Sequence, residues 1–157
     1  MTARALLDAA LARRLTIATA ESCTGGLLAG AITTPAGASA IFERGFVTYS
    51  NAAKVDLLGV APATLDAHGA VSEAVAREMA LGALARSTAD IAVSVTGIAG
   101  PGGSERKPEG RVCFGIATRQ ADTAHTVEFG PLGRDAVREA SVAEALRLLL
   151  EAVQRAP

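Results

Sequence analysis

A hydroxyl, a thiol and two glycines stand together in the segment Ala20-Glu21-Ser22-Cys23-Thr24-Gly25-Gly26, between a strand-like run and a helix-like run. The first N–H groups of a helix lack partners within the helix and carry the positive end of its dipole, and glycines let a substrate approach the backbone closely. The segment therefore predicts a nucleophile beside an oxyanion hole. The alternative is that Ser22 or Thr24 only caps the helix.

A lysine in the segment Tyr49-Ser50-Asn51-Ala52-Ala53-Lys54 is the candidate base. The fifteen basic residues are thirteen arginines and only two lysines, Lys54 and Lys107. A guanidinium cannot accept a proton near neutral pH, whereas partial burial lowers the pKa of a lysine and lets it deprotonate a serine hydroxyl. Chance retention of two lysines is the alternative. Tyr49, the sole tyrosine, can stack on a ring, donate a hydrogen bond or simply pack.

A glycine-rich segment, Thr96-Gly97-Ile98-Ala99-Gly100-Pro101-Gly102-Gly103-Ser104, follows a β-branched run. Such a loop can turn its amides toward an anion, which makes Thr96, Gly97 and Gly100 candidate binding residues. Its spacing fits neither a P-loop nor a dinucleotide fingerprint, and a plain solvent loop is the alternative. Lys107 beyond it either reaches a phosphate or is a solvated charge.

Two arginines four residues apart, Arg134 and Arg138, share a face in the first turns of the last predicted helix. Cations there oppose the helix dipole and repel each other, and an anionic ligand would relieve both costs. The alternative is an ordinary exposed pair whose repulsion Asp135 softens.

Helical and strand periods alternate along the chain and must position these segments. Helices are predicted over 3–14, 24–32, 52–58, 73–86 and 134–154, and strands over 15–19, 46–49, 91–95, 111–118 and 124–129. This order predicts one α/β domain over 1–157, a three-layer α/β/α sandwich with a mixed, partly parallel sheet.

Composition limits the partners. The formal charge of -1 gives no basic field for nucleic acid or anionic lipid, and the apolar runs are too short to cross a membrane. The N-terminus lacks the pattern of a signal peptide, and two cysteines and two histidines without ligand spacing predict no metal site. We therefore expect a cytoplasmic protein with a small-molecule partner. Apolar excess with only 3% aromatic residues predicts a homo-oligomer.

These segments together resemble the nicotinamide-nucleotide amidohydrolase family, which is also the CinA C-terminal domain family. The resemblance covers nearly the whole chain and lies in the segments 20–26, 42–51 with Lys54, 68–72, and 96–101 through 107–108. In two departures, the loop has one residue fewer between Pro101 and Gly102, and Glu109 stands where relatives usually have valine. Many relatives also carry a larger N-terminal domain, so the resemblance implies a free-standing form.

The resemblance implies hydrolysis of the carboxamide of nicotinamide mononucleotide to nicotinate mononucleotide and ammonia, in pyridine nucleotide recycling. Ser22 would be the nucleophile and Lys54 the base, with no metal or organic cofactor. N–H groups near Thr24, Gly25 and Gly26 would hold the oxyanion. Two alternatives stay open: a thiolate nucleophile at Cys23, and a regulatory module that binds a nucleotide without turning it over.

Overall fold

Five strands form one sheet in the order β2-β1-β3-β4-β5 in the computed structural model, which describes residues 2–104 and 106–157. The strands are β1 Ile17–Glu21, β2 Phe42–Val47, β3 Ile91–Gly97, β4 Arg111–Thr118 and β5 Asp122–Glu128. The helices are α1 Ala3–Arg13, α2 Leu27–Thr33, α3 Asn51–Leu58, α4 Pro62–His68, α5 Glu73–Ala85 and α6 Arg134–Arg155, with a short 3-10 turn at Ala38–Ala40. In the described ranges, no helix has the length and apolar character needed to cross a membrane.

The sheet is mixed, as predicted. Strands β2, β1 and β3 run parallel, and β4 and β5 continue the sheet antiparallel as a hairpin. Helices cover both faces because the parallel strands need crossover connections, whereas the hairpin needs only a turn. The three-layer α/β/α prediction is therefore confirmed.

Alternate residues of the central strands point into two separate cores. On one face, Ile17, Val93 and Val95 pack with apolar residues of α1, α2 and α6. On the other face, Ala18, Ala20 and Ala92 pack against α3 and α5. This period of two is the normal result of a pleated strand buried on both sides.

Small residues on the second face bring α5 close to the sheet. A Cβ at Gly115 would lie 2.4 Å from the carbonyl oxygen of Ala76 in α5, and Ser94 Oγ donates a hydrogen bond to the same oxygen at 2.5 Å. A larger side chain at Gly115 would push the helix away from the sheet. The close packing fixes α5 and the helices that rest on it.

Several element boundaries differ from the predictions. Strand β1 occupies 17–21 rather than 15–19, and α2 starts at Leu27 rather than at residue 24, because Gly25 and Gly26 have positive φ values of 56° and 104°. Strand β2 occupies 42–47 rather than 46–49. It is a partly exposed edge strand, so its sequence lacks a continuous apolar run. Helix α4 was not predicted, because no residue in it is fully buried.

Candidate active site

The carboxyl ends of the parallel strands β2, β1 and β3 lie side by side and bring the candidate segments together. Hydrogen bonding continues past β1, since Ser22 N–H donates to Val95 O at 2.9 Å and Thr48 N–H donates to Glu21 O at 2.8 Å. The first turn of α6 reaches the same edge. In open α/β sheets, ligands bind outside the carboxyl ends of the parallel strands, so this edge is the expected position for a site.

The lysine and the serine form a buried pair. Lys54 Nζ lies 3.0 Å from Ser22 Oγ, although 32 residues separate them in the sequence. Helix α3, capped by Ser50 Oγ through a hydrogen bond from Ala53 N–H, presents Lys54 toward the end of β1. Lys54 is only 1% exposed and Ser22 8%. The structure thus brings together the two residues predicted to carry the chemistry.

Two carbonyl groups orient the Lys54 amine. Its Nζ donates to Thr48 O at 3.0 Å and to Tyr49 O at 3.2 Å, and Ser22 Oγ is its third neighbour. The amine donates to Ser22 Oγ as well, and Ser22 Oγ donates in turn to Tyr49 O at 3.4 Å. An uncharged amine has two N–H bonds and one lone pair, so the same contact can accept the serine proton when the amine is uncharged. The backbone carbonyls of residues 48 and 49 thus hold the amine beside the serine hydroxyl.

Glu21 occupies much of the N-terminus of α2. Its Oε1 accepts from Thr24 Oγ1 at 2.6 Å, Gly26 N–H at 3.3 Å and Leu28 N–H at 2.9 Å, and its Oε2 accepts from Ala29 N–H at 3.1 Å. Glu21 is fully buried. Thr24 and Gly26 were predicted to bind substrate, but the Thr24 hydroxyl and the Gly26 N–H already donate to the Glu21 carboxylate. Gly25 N–H likewise donates to Ser22 O at 3.0 Å.

Two other amides of this turn remain available. In the part of the chain that the structure describes, the N–H groups of Cys23 and Thr24 make no hydrogen bond to another residue. Cys23 lines the pocket beside Ser22, whereas Thr24 is fully buried. Of the two residues, only Cys23 contributes to the wall of the pocket.

Arg138 was predicted to bind substrate and has a different position. Its Nε donates to Cys23 O at 3.1 Å and its Nη2 to Thr24 O at 3.3 Å. It lies behind the turn and does not line the pocket, and neither do Thr24, Gly25 or Gly26. Because it binds the carbonyls on the outer side of the turn, the guanidinium fixes the peptide planes next to the serine.

The thiol of Cys23 is in the wrong environment for a nucleophile. Burial raises the pKa of Cys23 to about 11, despite the opposing effects of its own backbone N–H and of Arg138. A thiol with that pKa is almost entirely protonated at neutral pH. The hypothesis of a Cys23 nucleophile assumed that a helix N-terminus lowers the pKa of the thiol. Helix α2, however, begins four residues later, at Leu27.

A cavity of about 340 Å³ opens in front of the Ser22–Lys54 pair. Small-molecule sites typically have volumes of roughly 300–1,000 Å³. Seven of the predicted site residues line it, namely Ser22, Tyr49, Lys54, Thr96, Gly97, Gly100 and Arg134. In its wall, Arg134 Nη1 donates to Gly100 O and Nη2 donates to Tyr49 Oη, both at 2.8 Å.

The side chain of Thr96 is buried and donates to Ala70 O at 2.9 Å, so it fixes the 70–71 wall of the cavity. Sequence reasoning missed this wall, which Ala70 and Val71 form, and it also missed Asn51. Small apolar residues carry no chemical signal, whereas Asn51 stood beside Tyr49 in a segment already singled out.

Lys107 does not extend into the cavity. Its Nζ donates to His68 O at 2.7 Å and to Val71 O at 2.6 Å, which ties the glycine-rich loop to the end of α4. His68 is exposed, and the ring of His125 stacks on Phe114 with 5.5 Å between centroids. Across residues 2–104 and 106–157, no cluster of three or more histidine, cysteine or carboxylate side chains is arranged to hold a metal ion.

A second, larger cavity of about 530 Å³ lies at the opposite edge of the sheet. It contains the start of β3, the β4–β5 turn and the end of α6, and its wall is mostly apolar. The serine–lysine pair is not part of it. The smaller cavity is therefore the candidate active site.

Comparison with known proteins agrees with the geometry. Residues 1–153 match the family model described as the CinA C-terminal domain. The chain is 56% identical over 139 residues to the nicotinamide-nucleotide amidohydrolase PncC of Escherichia coli strain K12, covering 88% of this chain and 84% of that protein. It is 63% identical over 119 residues to a CinA-like protein of Chlorobaculum tepidum, covering 75% of this chain but only 28% of that longer protein.

Solved structures show the same fold. The competence/damage inducible protein CihA from Agrobacterium tumefaciens superposes with a TM-score of 0.93 at 49% identity, covering 98% of this chain and 93% of that one. The competence damage-inducible protein A from Klebsiella pneumoniae gives 0.94 at 38% identity, with 99% and 96% covered. On the extent of these matches, the chain belongs to the CinA C-terminal domain family.

Proposed function

We propose that the protein is an amidohydrolase that converts nicotinamide mononucleotide to nicotinate mononucleotide and ammonia, as a step of pyridine nucleotide recycling. The observation that carries the proposal is the 3.0 Å contact between Lys54 Nζ and Ser22 Oγ, two residues that line the cavity. The names of relatives at 56% and 59% identity support the substrate.

In the first half of the reaction, Ser22 Oγ attacks the carboxamide carbon and its proton passes to the Lys54 amine. The carbonyl oxygen becomes an oxyanion, which the Cys23 N–H is placed to stabilise. Collapse of the tetrahedral intermediate breaks the C–N bond, and the lysine returns the proton to the departing nitrogen. Ammonia leaves and the acyl group remains as an ester of Ser22.

In the second half, a water molecule attacks the ester while Lys54 again takes a proton. The C–O bond to Ser22 breaks, the serine recovers its proton, and the carboxylate product leaves. Each step uses only residues of this chain, so the mechanism includes neither a metal nor an organic cofactor. In this mechanism the Lys54 amine acts in its uncharged form, since only that form has a lone pair for the proton.

The part of the cavity wall around Arg134 suits a phosphate. Arg134 uses one N–H on each of two nitrogens for Gly100 O and Tyr49 Oη, and a guanidinium has five N–H donors in all. The remaining donors can bind an anion at the cavity mouth. Tyr49 is 57% exposed beside it, which leaves a ring face for a planar base or sugar.

The test is incubation of the purified protein with nicotinamide mononucleotide, with and without a chelator, and with Ser22→Ala as the matched control. We expect ammonia and nicotinate mononucleotide in equal amounts from the wild type, no effect of the chelator, and neither product from the variant. Mononucleotide binding by calorimetry without any ammonia would contradict the proposal and favour a regulatory module. Activity that the chelator removes would contradict the metal-free mechanism.

A further inference from the structure

Glu109 joins two parts of the chain that lie on either side of the cavity mouth. Its Oε1 accepts from Gly102 N–H at 2.7 Å, and its Oε2 accepts from Gly133 N–H at 3.0 Å. Gly102 belongs to the glycine-rich loop, and Gly133 is the residue immediately before α6. Hydrogen bonds to an ionised carboxylate are about twice as strong as neutral ones, so a single side chain holds both backbones.

The same two parts are joined a second time on the cavity side. Arg134, the first residue of α6, donates to Gly100 O at 2.8 Å. Glu109 and Arg134 therefore bind neighbouring residues of one loop and are themselves linked through the start of one helix. Moving the carboxylate would release Gly133, and with it the base of the Arg134 side chain.

The carboxyl group packs directly against the loop backbone. A Cβ at Gly100 would lie 2.5 Å from the Glu109 carboxyl carbon, and Gly100 has a φ of +92°, a conformation that glycine adopts readily. Glu109 itself does not line the cavity. Its carboxylate lies against the loop and accepts hydrogen bonds from the N–H of Gly102 and from the N–H of Gly133, just before α6.

We propose that Glu109 is a positioning residue that sets the affinity of the site for the phosphate end of its substrate. The N–H groups of Gly102 and Gly133 already donate to the Glu109 carboxylate, so neither is left to bind a phosphate. Phosphate binding then depends on Arg134, whose position Glu109 fixes through the start of α6. Neither Ser22 nor Lys54 makes a hydrogen bond to Glu109 or Arg134 in the described residues, so we expect the pair to keep its geometry when this contact is lost. The inference rests on the proposed function for its substrate.

The experiment compares Glu109→Ala and Glu109→Gln with the wild type. The matched control is Glu128→Gln, which neutralises an exposed carboxylate that pairs with Arg111 at 2.5 Å outside the cavity. For nicotinamide mononucleotide, we expect Glu109→Ala to raise KM about tenfold with kcat changed less than about twofold, as for loss of a charge-assisted contact. Glu109→Gln keeps one acceptor oxygen, so we expect a smaller rise.

The phosphate-free substrate nicotinamide riboside separates positioning from general damage. We expect the Glu109 variants to have the kcat/KM of the wild type for the riboside, and Glu128→Gln to behave as wild type with both substrates. A KM that does not change with the mononucleotide overturns the proposal. An equal loss of kcat/KM for both substrates also overturns it, because it shows a merely structural role.

A second measurement needs no turnover. We expect the amide protons of Gly102 and Gly133 to exchange faster in Glu109→Ala, and calorimetry to show weaker binding of nicotinate mononucleotide. Absence of ammonia release by the wild type would count against the proposed function alone, since exchange and binding still test the contact. Unchanged exchange, or faster exchange with unchanged affinity, would overturn the role of Glu109.

Discussion

The turn at residues 22–26 and the loop at residues 97–104 face the same cavity but are held in different ways. The turn is buried at residues 22–24, with Glu21 accepting four hydrogen bonds from the turn and the start of α2 and Arg138 donating two to the turn. The loop is buried at Ile98 and Ala99 but exposed over residues 101–104. Backbone hydrogen bonds hold it at Ile98 and Ser104, and the side chains of Glu109 and Arg134 hold the part between.

This difference matches the two tasks of the site. A nucleophile must be held within a fraction of an ångström, which requires a turn fixed from several directions. A binding loop can be held by fewer contacts, because an error there weakens binding without changing the reacting atoms. Substitutions at the turn should therefore lower kcat, whereas substitutions at the loop should raise KM.

The largest effect is expected at the dyad. Ser22→Ala and Lys54→Arg should each lower kcat for nicotinamide mononucleotide by more than about a thousandfold, since one removes the nucleophile and the other keeps a charge but removes the base. The measurement is ammonia release, with folding checked by circular dichroism.

The other lysine is the matched control for the dyad. Lys107→Arg should retain activity within a few fold, because Lys107 binds the carbonyls of His68 and Val71 outside the reaction. Near wild-type turnover by Lys54→Arg or by Ser22→Ala would remove the dyad from the mechanism.

The next effect tests how the turn is held. Arg138→Lys cannot reproduce the paired donation to Cys23 O and Thr24 O, so the peptides beside Ser22 should lose their fixed orientation. We expect kcat to fall about 10- to 100-fold with KM nearly unchanged, in the range seen for loss of oxyanion stabilisation. Arg147→Lys, on an exposed face of α6, is the control. A change in KM alone would place Arg138 with the binding loop instead.

A smaller effect is expected at the cavity mouth. Arg134→Gln should raise KM for the mononucleotide about five- to tenfold and leave kcat nearly constant, because it removes a charge-assisted contact that solvent already weakens. Steady-state kinetics at two salt concentrations would check it, since salt should weaken binding by the wild type more than by the variant. An unchanged KM would exclude Arg134 as a phosphate ligand.

Cys23 should have the smallest effect on activity and a measurable effect on alkaline stability. Cys23→Ala should keep kcat within about twofold, since a thiol with a pKa of about 11 is protonated at neutral pH. Iodoacetamide at pH 7 should likewise modify Cys23 slowly. Loss of activity that follows alkylation of Cys23, together with an inactive Cys23→Ala variant, would restore the thiol as the nucleophile.

The sign of the stability effect follows from the raised pKa. The pKa of the thiol is near its ordinary value of 9.0 in the unfolded chain and about 11 in the folded protein, so the unfolded state is favoured as pH rises between those values. By pH 10.5, the wild type should have lost about 2 kcal/mol more than Cys23→Ala relative to pH 8. Urea unfolding of both proteins across this range measures it, and parallel curves would contradict the buried, protonated thiol.

Much of the fold could be predicted from periodicity. Strands such as 111–118 and helices such as 134–154 have long, regular patterns, and the structure confirms them within one residue. Helix α4 and strand β2 were missed or displaced because both are short and partly exposed, so neither needs a continuous apolar face.

For the site, the residue types of Ser22 and Lys54 were enough to propose a nucleophile and a base. Local sequence also placed Arg134 and the glycine-rich loop at a binding region. It could not show that Arg134 and Arg138 have different partners, because the two residues are four apart on one helix face. Only the packing of α6 shows that one reaches the cavity mouth and the other the back of the turn.

The sequence by itself determined which groups were available. They are Ser22 in a glycine-containing turn, two lysines in a chain that otherwise uses thirteen arginines for its basic residues, and the Glu109 carboxylate after the glycine-rich loop. The tertiary structure decided which of them act together, since Lys54 meets Ser22 across 32 residues and Glu109 meets Gly133 across 24. The physical reason is that partners and burial are set by strand order and helix packing. These long-range contacts have no local signal in the chain.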